Sequence, residues 1–307
     1  MSHTVLIVTN ATMQKMKNHY GVSSALPPGA VFAAKVDGCS VTGYRSGKVL
    51  FQGKEAARES AKWDGQAAVP KTKKAAGPSG KLPDGFSEMS VIGSDEVGTG
   101  DYFGPITVVA AYVETDRMAE LRALGVRDSK DMKDPEIVSV AKKLLKDIPY
   151  SLLVLRNEKY NDLQESGMSQ GKIKAILHNR ALGKLHEKIA PEKPAAVLID
   201  QFAEKTVYYR HLKGQKTIIE ENVFFSTKGE SIHLAVAAAS ILARYAFLKE
   251  MDILSEKAGF TIPKGASSKV DEAAARLIRT YDESVLRHFT KLHFANTEKA
   301  RRIVRGL

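Results

Sequence analysis

Apolar residues follow two different rhythms along this chain. Up to about residue 63 the apolar stretches are short and separated by turn-forming residues. Val5 to Val8 reads as a strand, and the segment from Thr12 to about Tyr20 as a helix that Thr12 can cap. Val31 to Val36 and Ser40 to Tyr44 flank Asp37-Gly38. Both turn residues tolerate positive φ, which predicts a hairpin. Arg45-Ser46-Gly47 predicts a second turn into a strand over Lys48 to Phe51. The alanines and charge pairing of Lys54 to Trp63 suit a helix. The order is β-α-β-β-β-α.

The second rhythm begins near Phe86. Met89 to Glu96 is an apolar strand ending in acids, and Ile106 to Val113 is nearly continuous in apolar residues. Ser151 to Leu155 predicts a third strand, Ala195 to Ile199 a buried one ending at Asp200, and Val223 to Phe225 a fifth. Ile173 to Ile189 has helical periodicity. A long helix is expected from Ile232 to about Ser255, with Glu230 at its opening and alanines at 235 and 237–239. Basic amphipathic helices fill the C-terminal part. Three successive strands followed by β-α-β alternation predict a mixed, five-stranded α/β sheet flanked by helices. Between the two halves, Pro70-Lys71-Thr72-Lys73-Lys74 and Gly77-Pro78-Ser79-Gly80 read as a linker. The expected domains are 1–69 and 86–307, joined by 70–85.

Composition adds a partner. Of 307 residues, 43% are hydrophobic, enough for a packed core, and the formal net charge is +11. Residues 1–85 carry twelve lysines and arginines against five acids, so most of the excess sits in the first domain. An antiparallel sheet with a basic surface suits nucleic acid, although solvated lysines on an appendage would give the same count. The single cysteine, Cys39, has no disulfide partner within the chain. The apolar run Val5 to Val8 is too short for a signal-peptide core, and no stretch approaches the ~20 apolar residues of a membrane span. A cytoplasmic protein is expected.

Four acids stand where chemistry would want them. Asp95 and Glu96 end the first strand of the second domain, Asp200 ends another, and Glu230 precedes the alanine-rich helix. Converging carboxylates repel one another, and divalent cations resolve that repulsion. Phosphodiester hydrolysis by two metal ions needs bridging carboxylates of this kind, and hard oxygen ligands suit Mg²⁺ or Mn²⁺. Salt-bridged surface acids are the plainer alternative. Neighbouring strand residues point to opposite faces, so Asp95 and Glu96 can share a site only if the strand ends or bulges there. Gly98-Thr99-Gly100 is expected to supply the break. The same glycines would also let backbone N–H groups approach a nucleotide closely.

Gly93-Ser94-Asp95-Glu96-Val97-Gly98-Thr99-Gly100-Asp101-Tyr102-Phe103-Gly104-Pro105 resembles the signature of bacterial ribonuclease HIII. So do Arg127-Asp128-Ser129-Lys130, Leu198-Ile199-Asp200-Gln201-Phe202, Ser226-Thr227-Lys228-Gly229-Glu230 and the following Val236 to Ile241. The resemblance spans most of residues 86–307. It implies an RNase H-like fold, preceded by a small α+β domain resembling half of the TATA-binding protein. It implies that Asp95, Glu96, Asp200 and Glu230 bind Mg²⁺ or Mn²⁺ and cut the RNA strand of RNA–DNA hybrids, leaving 5′-phosphate and 3′-hydroxyl ends. It further implies that the backbone of Gly98, Thr99 and Gly100 reads 2′-hydroxyls. Thr99 favours type HIII over the related type HII enzymes, which usually carry arginine there. A type HII enzyme, or a hybrid-binding module with an inactive core, are the competing readings, and the presence of all four acids weighs against the latter. Lys130, Lys172 and Lys228 are candidates for phosphate contacts or for solvated surface lysines. His233 could shuttle protons or serve structure, and Trp63 is expected to pack.

Overall fold

A computed structural model describes residues 3–21, 26–27, 29–63 and 82–306. Residues 70–81 of the expected linker lie outside the described residues. The chain divides into two compact units, Met1–Ala75 and Ala76–Leu307.

The first unit contains β1 (His3–Ile7), α1 (Asn10–Tyr20), β2 (Ala30–Val36), β3 (Cys39–Tyr44), β4 (Lys48–Gln52) and α2 (Ala56–Ala61). The strands form an antiparallel sheet in the order β1-β4-β3-β2. The cap of α1 is Thr9 rather than Thr12: the Thr9 side chain accepts from the Thr12 N–H at 3.1 Å, and Thr12 lies inside the helix. A side-chain oxygen can satisfy an N–H three residues on, so the oxygen-bearing residue nearer the strand takes the role. One sheet face is buried under Met13, Met16, Ala56 and Trp63. Trp63 is buried, as expected, and its indole N–H donates to the Tyr20 hydroxyl at 2.7 Å. On the other face the register lines up Val5, Leu50 and Thr42 across β1, β4 and β3. Val5 and Ile7 are exposed there at 48% and 43%.

The second unit contains β5 (Val91–Val97), β6 (Ile106–Val113), α3 (Met118–Ala123), α4 (Asp134–Asp147), β7 (Tyr150–Leu155), α5 (Asn157–Glu165), α6 (Gln170–Ile189), β8 (Ala196–Asp200), α7 (Lys205–Leu212), β9 (Val223–Ser226), α8 (Leu234–Ala258), α9 (Ser268–Thr280), α10 (Leu286–Phe289) and α11 (Asn296–Val304). The sheet order is β7-β6-β5-β8-β9. β5, β6 and β7 pair antiparallel, whereas β5, β8 and β9 run parallel. This is the mixed five-stranded, RNase H-like sheet. Both faces are covered, which is why β6 and the starts of β5 and β8 are largely apolar. Alternate residues of β5 sort cleanly: Val91 packs with α4 and α8, and Ile92 with α6. Gly93 sits against the backbone of α8, where an added Cβ would lie 2.2 Å from Ala235 C and Val236 N. Small residues on both partners let this strand and helix pack closely. A third cluster joins Tyr102 and Phe103 to the C-terminal half of α8 and to α9 and α10. Among the described residues, no helix is long and apolar enough to cross a membrane.

Candidate active site

The parallel pairing of β5 and β8 builds the centre of the site. Ser94 pairs with Ile199, so Asp95 and Asp200 follow side by side at the carboxyl ends of neighbouring strands. Asp95 shares the face of Gly93, toward α8, and Asp200 shares the parity of Leu198, which packs on the same side. Glu230 lies in a 3-10 turn, Gly229–Ser231, that follows β9. It does not open α8 itself, which begins at Leu234 and is capped by His233. The turn exists because Lys228 adopts a left-handed conformation, φ 61°. That geometry turns the Gly229 N–H onto Asp200 Oδ1 at 2.9 Å.

The expected strand break between the acids is absent. β5 keeps its register with β6 through Asp95–Val109, Glu96–Val108 and Val97–Thr107. Asp95 and Glu96 therefore point to opposite faces, as regular pleating demands. Glu96 turns toward α6, where Lys174 Nζ donates to Oε1 at 2.7 Å and His178 Nε2 meets Oε2 at 2.9 Å. His178 Nδ1 lies 2.6 Å from Ser94 Oγ, and Phe202 stacks on the imidazole while lying under the Lys174 ammonium. Reading the sequence missed this network. Its signal was present: Lys174 and His178 stand four apart inside the apolar stripe of a helix, where buried polar side chains need a partner.

The acids feel one another despite their different directions. Burial, then the charges of Asp200 and Glu96, push the Asp95 carboxyl up to about 8. Burial also pushes Asp200 up, with the Gly229 N–H offsetting part of the effect. Glu230 is raised by burial against the pull of Lys130, which ion-pairs with it. For Glu96 burial again acts upward, but His178 and Lys174 outweigh it and hold the carboxyl below its usual range.

Among the described residues, no three His, Cys, Asp or Glu side chains converge as a ready-made ligand set. Two of the acids are instead turned to protein side chains: Glu96 to the Lys174 amine and the His178 imidazole, and Glu230 to Lys130. The residues nonetheless fit a hard divalent cation. Glu230 Oε2 is buried without a hydrogen-bond partner, and the buried Asp95 carboxyl is pushed up by burial and by the charges of Asp200 and Glu96.

Gly98, Thr99 and Gly100 form a turn in which the Asp101 N–H donates to Gly98 O at 3.3 Å. Gly98 needs its glycine, with φ +95° and an added Cβ 2.1 Å from Pro105 O. Gly100 is exposed, and an added Cβ would meet nothing within 4 Å, so the fold itself does not demand glycine there. Among the described residues, neither the Thr99 nor the Gly100 N–H donates to another group of the chain.

The lysines separate by position. Lys130 holds Glu230 while its own side chain is 71% exposed. Its segment is fixed below by a Ser129–Ser240 hydroxyl contact at 2.8 Å and by Arg244 bound to Ser129 O. Lys228 is exposed beside Gly229, and Lys172 lies in the first turn of α6. His233 uses both ring nitrogens in structure. Nδ1 accepts from the Ala235 N–H at 3.0 Å, and Nε2 lies 3.0 Å from Met89 O. That leaves no nitrogen for shuttling protons.

Comparison with known proteins follows the same outline. A family profile described as Ribonuclease HII matches residues 92–297, and one for a domain of unknown function matches residues 3–76. Ribonuclease HIII of Bacillus velezensis is 60% identical, over 99% of this chain and 98% of that protein. Ribonuclease HIII of Bacillus subtilis is 58% identical, over 99% and 98%. A crystal structure of Bst-RNase HIII in complex with Mn²⁺ superposes with a TM-score of 0.71 at 46% identity, covering all of both chains. With the paired acids, the glycine turn and the mixed sheet in the same chain, this protein belongs to the ribonuclease HIII family.

Proposed function

We propose that this protein hydrolyses the RNA strand of RNA–DNA hybrids at a centre where Asp95, Glu96, Asp200 and Glu230 hold Mg²⁺ or Mn²⁺, leaving 5′-phosphate and 3′-hydroxyl ends. The observation that carries the site assignment is the side-by-side placement of buried Asp95 and Asp200 on neighbouring parallel strands, where Asp200 helps push the Asp95 carboxyl up, with the unpartnered Glu230 Oε2 on the turn after β9. Divalent cations would supply Lewis-acid activation of water and neutralise charge developing on the phosphate. The chain's own residues do the rest. The Gly229 N–H orients Asp200, and Lys174 and His178 hold Glu96. Lys130 neutralises Glu230 and, being exposed, can turn to a phosphate when a cation takes its place. Lys228, standing exposed beside the turn, is a second phosphate contact.

The turn at Gly98, Thr99 and Gly100 presents N–H groups to the RNA strand, where they donate to 2′-hydroxyls. This contact sees the sugar and ignores the base. The first unit serves as a substrate-binding domain, and its open sheet face with Lys48 nearby is a platform for the duplex. The test is cleavage of a labelled hybrid with Mg²⁺, Mn²⁺ or chelator, beside a DNA duplex of the same sequence. Cutting confined to the RNA strand and abolished by chelator is expected. Cleavage of the DNA duplex at a comparable rate would overturn the reading.

A further inference from the structure

The glycine turn is short, yet side chains from distant parts of the chain grip its carbonyls. Gln170, the first residue of α6, donates through Nε2 to Thr99 O at 3.2 Å. The same amide nitrogen lies 3.1 Å from the hydroxyl of the buried Tyr160. At the far end of the loop, Lys291 Nζ donates to Asp101 O at 2.8 Å and to Gly104 O at 2.5 Å. Asn157 Nδ2 donates to the same Gly104 carbonyl at 3.0 Å. Backbone pairs complete the attachment. Gly104 N–H meets Phe289 O at 3.0 Å, and Lys291 N–H meets Tyr102 O at 2.9 Å.

A trans peptide carries its C=O and N–H in opposite directions. Fixing Thr99 O toward α6 therefore aims the Gly100 N–H away from α6, at an exposed residue where an added Cβ would meet nothing within 4 Å. Fixing Asp101 O and Gly104 O stops the loop from rotating that peptide plane back. Lys291 is fully buried, which is costly for an amine when an apolar side chain could fill the same volume. The cost is visible in the ammonium, which burial pushes down to about 7. What the amine provides that an apolar group would not is a pair of donors to two carbonyls three residues apart.

We propose that Gln170, with Lys291 anchoring the far end of the loop, is a positioning residue that sets the direction of the Gly100 N–H and so determines discrimination for ribose. The proposal rests on the reading that this turn contacts 2′-hydroxyls. It is tested by initial rates on hybrids in which single 2′-deoxy substitutions are walked along the RNA strand. Wild type, Gln170→Leu and Lys291→Met are compared at saturating Mg²⁺. Gln170 is only half-buried at a helix start, so its leucine variant should fold even if the lysine variant does not. Loss of one aimed hydrogen bond should lower kcat on the all-ribose hybrid about three- to tenfold. The penalty for a deoxy substitution at the read position should shrink by the same factor, while the Mg²⁺ concentration giving half-maximal rate stays unchanged. A merely structural role would lower all rates together and leave the deoxy profile intact, and that result would overturn the proposal. A wild-type enzyme indifferent to every deoxy substitution would overturn both this proposal and the reading beneath it. A sensitive wild type with equally sensitive variants would overturn the clamps alone.

Discussion

Asp95 is a residue that the folded chain itself disfavours in its charged form. Buried next to Asp200 and Glu96, its carboxylate is destabilised in the folded chain. Asp95→Asn keeps the shape and removes the charge. Cleavage should fall by at least about a hundredfold while hybrid binding is retained. In chelator, the same variant should melt at a higher temperature than wild type, because the repulsion has gone. A variant that melts lower in chelator, or that turns over normally in saturating Mg²⁺, would remove Asp95 from the centre. Lys291 gives the pH-dependent counterpart. Its ordinary value is 10.5, and burial pushes it down to about 7 in the folded chain. Between those values the unfolded chain binds more protons than the folded one, so stability contributed through Lys291 rises with pH. Lys291→Met removes the titrating group. Wild-type Tm, measured against that variant, should climb from about pH 7 to about pH 10. Two curves that stay parallel over the range would mean that the buried amine does not lose its proton there.

At the scale of elements, β5 and α8 are matched by what they lack. An alanine at Gly93 would drive a methyl into the backbone of Ala235 and Val236, and backbone cannot move aside as a flexible side chain can. Gly93→Ala should cost on the order of 2 kcal/mol, read as a lower midpoint in denaturant unfolding. Gly100→Ala makes the opposite case. Its added methyl meets open space within the chain, so stability should stay within about 0.5 kcal/mol of wild type. On the proposed reading that the RNA strand approaches this turn, its kcat/KM on the hybrid should nonetheless fall several-fold. Unchanged kcat/KM in Gly100→Ala would show that no substrate group approaches there. The strands, α6 and α8 were legible in the sequence to within a few residues, since alternating and helical periods are local properties, whereas α3, α4, α5 and α7 were not placed. The misplaced cap of α1 and the misplaced start of α8 share a cause. A capping side chain is chosen by which N–H groups the turn leaves open, and the sequence alone does not state that turn's geometry.

On the scale of the whole molecule, charge is divided unevenly between the two units. Residues 1–85 hold twelve of the lysines and arginines and none of the four acids. Deleting residues 1–84 should weaken hybrid binding more than it slows the chemical step. It should also flatten the dependence of binding on salt, since fewer counterions are released from the phosphates. Binding by the truncated chain with an undiminished salt slope would rule out the electrostatic platform. By itself the sequence determined the periods of the strands and helices, the basic first unit, and the four acids with the glycine turn beside them. These are properties of residue type and of separation along the chain. Only the tertiary structure decided that β5 runs unbroken through Asp95 and Glu96, sending the two acids to opposite faces. It alone brought Lys174 and His178 to Glu96, and Gln170 and Lys291 to the turn. Those partners lie about 70 to 190 residues away, and buried polar groups find their partners through packing, which carries no local period for a sequence to display.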